Sequence, residues 1–398
     1  MLSAKVRTLE GSFTHDLLFT NFWGYIIGVN KHTLRGLKMK AAVCYEAGKP
    51  LVIEDIIVDP PKAGEVKVRL AATGVCHSDI HALHGDLGPR FPGVAGHECA
   101  GYVDLVGEGV TSVKPGDRVV VSLIASCGRC YYCLHGLPHL CDFKWPLLTE
   151  SRFRNKKGES IKQMMKVGGM AEYTVVDQSQ VVKISPDMPM DVAALLACCV
   201  ITGFGSVVWR ARVEALSSVV VMGTGGVGLN AVQGAALSGA YPVIAVDILD
   251  SKLKAAKDFG ATHTVNAARG DAIEEVKTLT SGLGANYAFI TVGSTAAMKQ
   301  GYQMTRKRGT LVLVGLSAPN DLFAVHPNEI ELNERVVIGA FMGSTNLQEN
   351  VPQLIALYKE GKLKLNELIT KRYSLEQINE AIASVERGEA LRNVIMFK

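Results

Sequence analysis

The sequence has no uninterrupted apolar run of the ~18 residues that a membrane helix needs. Its nearest N-terminal approach is Leu17 to Val29, "LLFTNFWGYIIGV", which is short, broken by Thr20 and Asn21, and followed by basic residues. That stretch has neither the charged start nor the small-residue cleavage site of a secretory leader. Membrane insertion and export are therefore not expected, and a cytoplasmic protein is. Charge of one sign is also missing. A net charge of +4 over 398 residues, with no standout Lys/Arg block, gives nucleic acid little to bind. Repeats and low-complexity tracts are absent, and 48% hydrophobic with 20% charged residues excludes a disordered chain. Nine cysteines is an odd number, which a fully oxidised secreted protein would avoid.

What is present begins with "CGRCYYCLHGLPHLC", in which Cys127, Cys130, Cys133 and Cys141 follow C-x2-C-x2-C-x7-C. Two-residue gaps hold successive sulfurs on one side of a loop, as a tetrahedral zinc requires. A ferredoxin-type run also starts with C-x2-C-x2-C but continues C-x3-C-P, which this one does not. A structural zinc lobe is expected here. A closed four-sulfur site has no open coordination position and does no chemistry, so a reactive metal must lie elsewhere. "TGVCHSDIHALHGDLG" and "PGVAGHECAG" offer Cys76 and His97, and "AALLACCVITGFG" adds Cys198 or Cys199 at the end of an apolar helical stretch. Two Cys, one His and a free fourth position describe a catalytic zinc.

The most informative stretch is "SSVVVMGTGGVGLNAVQGAALSGAYPVIAVD". A buried strand runs into G-x-G-x-x-G at Gly223, Gly225 and Gly228, then a helical pattern, then a second strand ending in Asp247. This is the strand–turn–helix–strand context of a dinucleotide site. Gly223 permits the tight turn, Gly225 lets backbone N–H groups approach a pyrophosphate, and Gly228 lets helix and strand pack. Asp247 can accept from both ribose hydroxyls and repels a 2′-phosphate. No Arg follows it at Ile248, Leu249 or Asp250, so NAD is expected over NADP. Further short strands at Thr262–Val265, Tyr287–Val292, Thr310–Val314 and Arg335–Ala340 complete a doubly wound sheet. The expected α/β organisation is an extension over 1–38, a β-rich region over 39–200, the nucleotide sheet over 201–342, and a tail over 343–398 that returns to the N-terminal lobe. The first strand pattern opens at Met39, which also reads as a natural start.

From about residue 39 onward, "GHECAGYVDLVGEGV", "GDRVV", the thiol lobe and "GTGGVGL" together resemble a zinc-dependent alcohol dehydrogenase of the medium-chain dehydrogenase/reductase superfamily. The resemblance implies a GroES-like catalytic domain joined to a Rossmann coenzyme domain. It implies one catalytic zinc on Cys76, His97 and Cys198, with Cys199 as the fallback ligand, and one structural zinc. Glu98 matches the acidic residue beside the metal, and Asp79 the carboxylate that orients the imidazole. Ser78 and His81 match a proton relay. His77, Thr202, Gly226, Val227, Lys252 and Arg392 join the glycines and Asp247 at the NAD site, and Leu87 and Leu123 match an apolar pocket for medium aliphatic or aromatic alcohols. Cys44 and Cys99 match no functional position. The implied reaction is reversible hydride transfer between an alcohol and NAD, giving an aldehyde or ketone, in a homodimer rather than a tetramer. A thiol-dependent formaldehyde dehydrogenase would share these motifs, the basic stretch Arg152–Lys157 then holding the thiol cofactor's carboxylates. A non-catalytic zinc and nucleotide binder is the remaining alternative.

Overall fold

The computed structural model describes residues 36–88 and 90–398. Of the extension expected over 1–38, residues 1–35 lie outside them. The first strand is Leu37–Val43, so residues 37 and 38, assigned to the extension from sequence, belong to the sheet. Its extent is set by its antiparallel partner Val52–Val58, against which Leu37 faces Val58 and Lys38 faces Ile57. The apolar pattern that points to Met39 reports burial, not pairing: Leu37 is exposed and Met39 buried.

Two sheets build the N-terminal half. A five-stranded sheet includes the Leu37–Val43 hairpin and short strands from the 153–163 region. A seven-stranded sheet centres on Glu65–Val75, eleven residues buried at nearly every position. Glu98–Val106 pairs antiparallel with it, and the register sets Gly74 opposite Glu98. Cys76 follows the end of one strand and His97 precedes the start of the other. Strand pairing alone therefore brings these two side chains together across 21 residues of sequence.

The tail rejoins this sheet. Arg392–Met396 pairs antiparallel with Glu65–Val75, placing Asn393 opposite Val75. Ile369–Tyr373, absent from the sequence reading, pairs in parallel beside it.

Between them lies a six-stranded, wholly parallel sheet. Its strands are Val219–Met222, Val243–Asp247, His263–Asn266, Ala285–Ile290, Thr305–Leu313 and Val336–Gly339. In space they run third, second, first, fourth, fifth, sixth. The order reverses beside the first strand, so the glycine turn that follows it opens into the crevice of the switch point.

A single 22-residue helix, Met190–Ala211, joins the two halves. It is apolar and long enough to span a bilayer, but 89% of its most apolar window is buried inside the protein. Its apolarity serves the core shared by both sheets. The expectation that a helical stretch ends at the cysteine pair is corrected by this continuity. Cys198 and Cys199 sit mid-helix, inside a π-turn at Leu196–Val200. Such a turn inserts one extra residue and redirects the side chains, a device frequent at functional sites.

Candidate active site

A cleft of about 670 Å³ lies between the catalytic half and the parallel sheet. Its lining includes Cys76, His97 and Cys198, then His77, Ser78, His81, Thr202, Leu87 and Leu123. It also includes Gly223, Gly225, Gly226, Val227, Gly228, Asp247, Lys252 and Arg392. Sequence reasoning named all of these, from segments as far apart as residues 76 and 392.

The local structure at Cys76 fixes the geometry. Cys76 caps the helix His77–His84, and Asp79 three residues on accepts its backbone N–H at 3.1 Å. The other oxygen of Asp79 accepts from the Gly96 N–H at 2.9 Å and from Nδ1 of His97 at 2.8 Å. One buried carboxylate thus serves the helix cap, the loop before His97 and the imidazole. It places the ring proton on Nδ1 and leaves Nε2 with its lone pair. That Nε2 is buried and has no hydrogen-bond partner among the described residues. An orphaned buried acceptor is costly unless something electrophilic occupies the space before it.

The donor atoms of Cys76, His97, Glu98 and Cys198 lie within 4.8 Å of one another, all buried. Two thiols, an imidazole and a carboxylate at that spacing fit a zinc ion. Cys199 is outside the group. Its Sγ donates to the Leu195 carbonyl at 3.5 Å. Glu98 accepts from the Cys199 N–H at 3.2 Å and faces the Arg392 guanidinium at 3.5 Å, while its second oxygen is unpartnered. Burial pushes its carboxyl up to about 8. Cys99 is a packing residue by its surroundings: it is fully buried beside Thr73, and burial raises its thiol to about 12.

Cys127, Cys130, Cys133 and Cys141 form a second cluster, again within 4.8 Å. Backbone N–H groups point at its sulfurs, Cys130 to Cys127 at 3.3 Å and Cys127 to Cys141 at 3.4 Å. Such bonds favour thiolates, the form a metal binds. All nine cysteines are free of disulfides.

The glycine turn matches its expected mechanics. Gly223 has φ 88°, in the left-handed region, where a side chain would be strained. A Cβ at Gly228 would overlap the Gly223 carbonyl oxygen, whereas one at Gly225 would meet only open space. The helix Gly226–Leu237 begins there and directs its free N–H groups at the cleft. Arg392 lies against Gly226, its Nη1 donating to the Val75 carbonyl at 3.1 Å and its buried Nε unpartnered. Asp247 is held by the Thr224 N–H at 2.7 Å and the Leu249 N–H at 3.1 Å.

Three features escaped the sequence. Asp86 binds His81 Nδ1 at 2.8 Å. Two left-handed turns at non-glycine residues also face the cleft: Met165–Lys166, with φ 53° and 62°, and Met342, with φ 50°. Met342 Sδ lies 3.9 Å from Cys198 Sγ. The consecutive methionines before Lys166 were the available signal, since unbranched side chains fill irregular pocket walls. The basic stretch is corrected. Arg152 is buried and holds Glu65 with two bonds at 2.8 and 2.6 Å. Arg154 pairs with Asp59 and Lys156 with Asp55. None of these lines the cleft, because carboxylates on neighbouring strands claim them first.

A half-barrel antiparallel sheet joined to a doubly wound parallel sheet, with a cleft between, is the architecture of the medium-chain dehydrogenases. The chain matches the alcohol dehydrogenase GroES-like domain over residues 62–186 and the zinc-binding dehydrogenase family over residues 226–360. It is 42% identical over 369 residues to the NDMA-dependent alcohol dehydrogenase of Amycolatopsis methanolica, spanning 90% of this chain and 99% of that one. It is 38% identical over 373 residues to the S-(hydroxymethyl)glutathione dehydrogenase of Saccharomyces cerevisiae, spanning 90% and 96%. The crystal structure of benzyl alcohol dehydrogenase from Acinetobacter calcoaceticus shares the fold with a TM-score of 0.85 at 29% identity, over 91% of this chain and all of that one. The chain belongs to the zinc-dependent alcohol dehydrogenases of the medium-chain dehydrogenase/reductase superfamily.

Proposed function

We propose that the protein oxidises an alcohol to an aldehyde or ketone, reversibly, with NAD as hydride acceptor and zinc on Cys76, His97 and Cys198. The observation that carries this reading is the buried sulfur–imidazole cluster at the floor of a cleft whose opposite wall is the glycine turn. Bound there, zinc supplies a Lewis acid for the alcohol oxygen and the dinucleotide supplies the hydride acceptor. The chain's own residues do the rest. Asp79 keeps the His97 Nε2 lone pair aimed at the metal position. Ser78 Oγ takes the hydroxyl proton, and His81, with Nδ1 anchored on Asp86, releases it from Nε2 at the cleft mouth. The Gly226–Leu237 N-terminus and Arg392 hold the pyrophosphate, and closure of the cleft excludes water. Leu87 and Leu123 offer the substrate an apolar wall.

The deciding experiment is an NAD⁺-reduction screen of the zinc-loaded enzyme against alcohols, with metal analysis for two zincs per chain. Formaldehyde with and without glutathione belongs in the same screen. Oxidation of formaldehyde that depends strictly on the thiol, with no turnover of simple alcohols, would replace the alcohol reading. Ser78→Ala is expected to lower kcat roughly 100-fold, the lower range for a lost acid–base group, with zinc content unchanged. Full activity in that variant would remove Ser78 from the proton path. Asp247→Ser removes both the ribose acceptor and the charge that repels a 2′-phosphate. The ratio of kcat/KM for NADP over NAD should rise by about 10–100-fold, as expected for one strong polar contact exchanged between ligands. An unchanged ratio would place cofactor choice on other residues.

A further inference from the structure

Most charged groups lining the cleft already have work in the reading above. Arg392 lies against Gly226 of the glycine turn, and Lys252, His77 and His81 line the same cleft. Lys166 does not fit that set. It sits on the catalytic half, where Arg90, Cys141 and Asp177 are near enough to act on its charge. Leu87 and Leu123, the proposed substrate wall, line the same cleft as Lys166. Lys166 is half-buried and has no ion-pair partner among the described residues.

Its backbone is not there by default. Met165 and Lys166 are consecutive residues in the left-handed region, which a side chain's Cβ disfavours. Neighbouring groups hold the turn: the Val167 carbonyl accepts from Gln163 Nε2 at 3.1 Å and from the Thr174 hydroxyl. The result aims one methionine and one lysine into the cleft. Strain at non-glycine positions facing a pocket is where function is to be sought. A half-buried ammonium whose counter-charges, Asp177 among them, are not in contact with it is disfavoured, and burial lowers the Lys166 pKa. A ligand anion would relieve that cost.

We propose that Lys166 is a specificity residue that binds a carboxylate at the far end of the substrate, so that the preferred substrates are hydroxy acids or their aldehyde acids. One ammonium in the cleft lining, with Arg90 outside that lining, matches a monoanionic carboxylate better than a phosphate dianion. The cleft also holds the dinucleotide, which leaves room for a compact acid. The proposal rests on the dehydrogenase reading for the reacting end of the substrate and adds the anchor at the other.

The test compares 4-(hydroxymethyl)benzoate with benzyl alcohol, and 6-hydroxyhexanoate with 1-hexanol, on the holoenzyme. Lys166→Met, close in length and flexibility, should lower kcat/KM for the better acid about 10-fold through KM, with kcat nearly kept. The neutral partner should stay within about 2-fold, which also shows the variant is folded. Lys166→Arg should recover part of the loss. Independently of turnover, calorimetric titration of each acid into zinc-loaded enzyme without nucleotide should show binding that weakens about 10-fold in Lys166→Met, and no such change for the neutral alcohols. Equal effects on acid and neutral substrates, or acid binding untouched by the substitution, would overturn the proposal. Absence of turnover alongside Lys166-dependent acid binding would instead count against hydride transfer and leave the anion site standing.

Discussion

Cys198→Ala should lower kcat by roughly 1000-fold or more and remove one of two zincs, whereas Cys199→Ala should keep both the metal and most of the activity. The two residues are adjacent on one helix, so their side chains point about 100° apart. Cys198 Sγ belongs to the buried cluster with Cys76, His97 and Glu98. Cys199 Sγ turns to the Leu195 carbonyl and is fully buried, with its thiol pKa pushed upward by that burial. Lewis-acid stabilisation is worth several kcal/mol, and about 1.4 kcal/mol is a factor of ten, which sets the size of the expected loss. Zinc per chain by mass spectrometry, measured beside kcat, separates metal loss from unfolding. A Cys199→Ala enzyme that lost zinc while Cys198→Ala kept it would reverse the ligand assignment and the reading of the π-turn.

A second large effect is expected at a residue that touches no substrate. Asp79→Ala strips the acceptor from three groups at once: the Cys76 N–H, the Gly96 N–H and His97 Nδ1. Removing one partner of a buried ionic pair costs about 3–5 kcal/mol of stability. Removing the group that orients a metal-bound imidazole lowers metal affinity about 10–100-fold. The two losses come apart experimentally. Excess zinc should restore much of the turnover while the variant still melts well below the parent protein. If added zinc restores nothing and the melt is unchanged, Asp79 does not position His97.

The parts of this protein that could be read from sequence are those in which chemistry and local geometry coincide. The glycine turn was legible because strand, turn, helix and acid follow one another within thirty residues. The four-thiol lobe was legible for the same reason. Cys76 and His97 were legible as residue types, but strand register, not spacing, brings them together. Long-range packing hid the rest. Ile369–Tyr373 is a strand because Arg392–Met396 lies beside it, not because its own pattern says so. Thr305–Leu313 starts five residues earlier than its apolar run, carried by pairing with Ala285–Ile290. The turns at Met165–Lys166 and Met342 use residues that rarely adopt such backbone, so no local rule points to them. Arg152 misled in the other direction: a basic run reads as a holder of a cofactor's carboxylates, yet Glu65 draws Arg152 into the interior.

The position of Arg392 has a consequence for how the enzyme comes into being. Its strand is stitched to residues more than 300 positions upstream, and its guanidinium touches the Val75 carbonyl, Glu98 and the glycine turn. A ribosome that has made the whole parallel sheet has still not delivered this last strand. Until it emerges, Ala72–Val75 lacks its partner on one edge, Glu65–Arg69 beside it being covered by Tyr173–Asp177; an open stretch of edge is the kind of surface that recruits stray chains. Assembly of the cleft therefore waits on residues 392–396, and nascent protein should be most vulnerable to aggregation before they emerge.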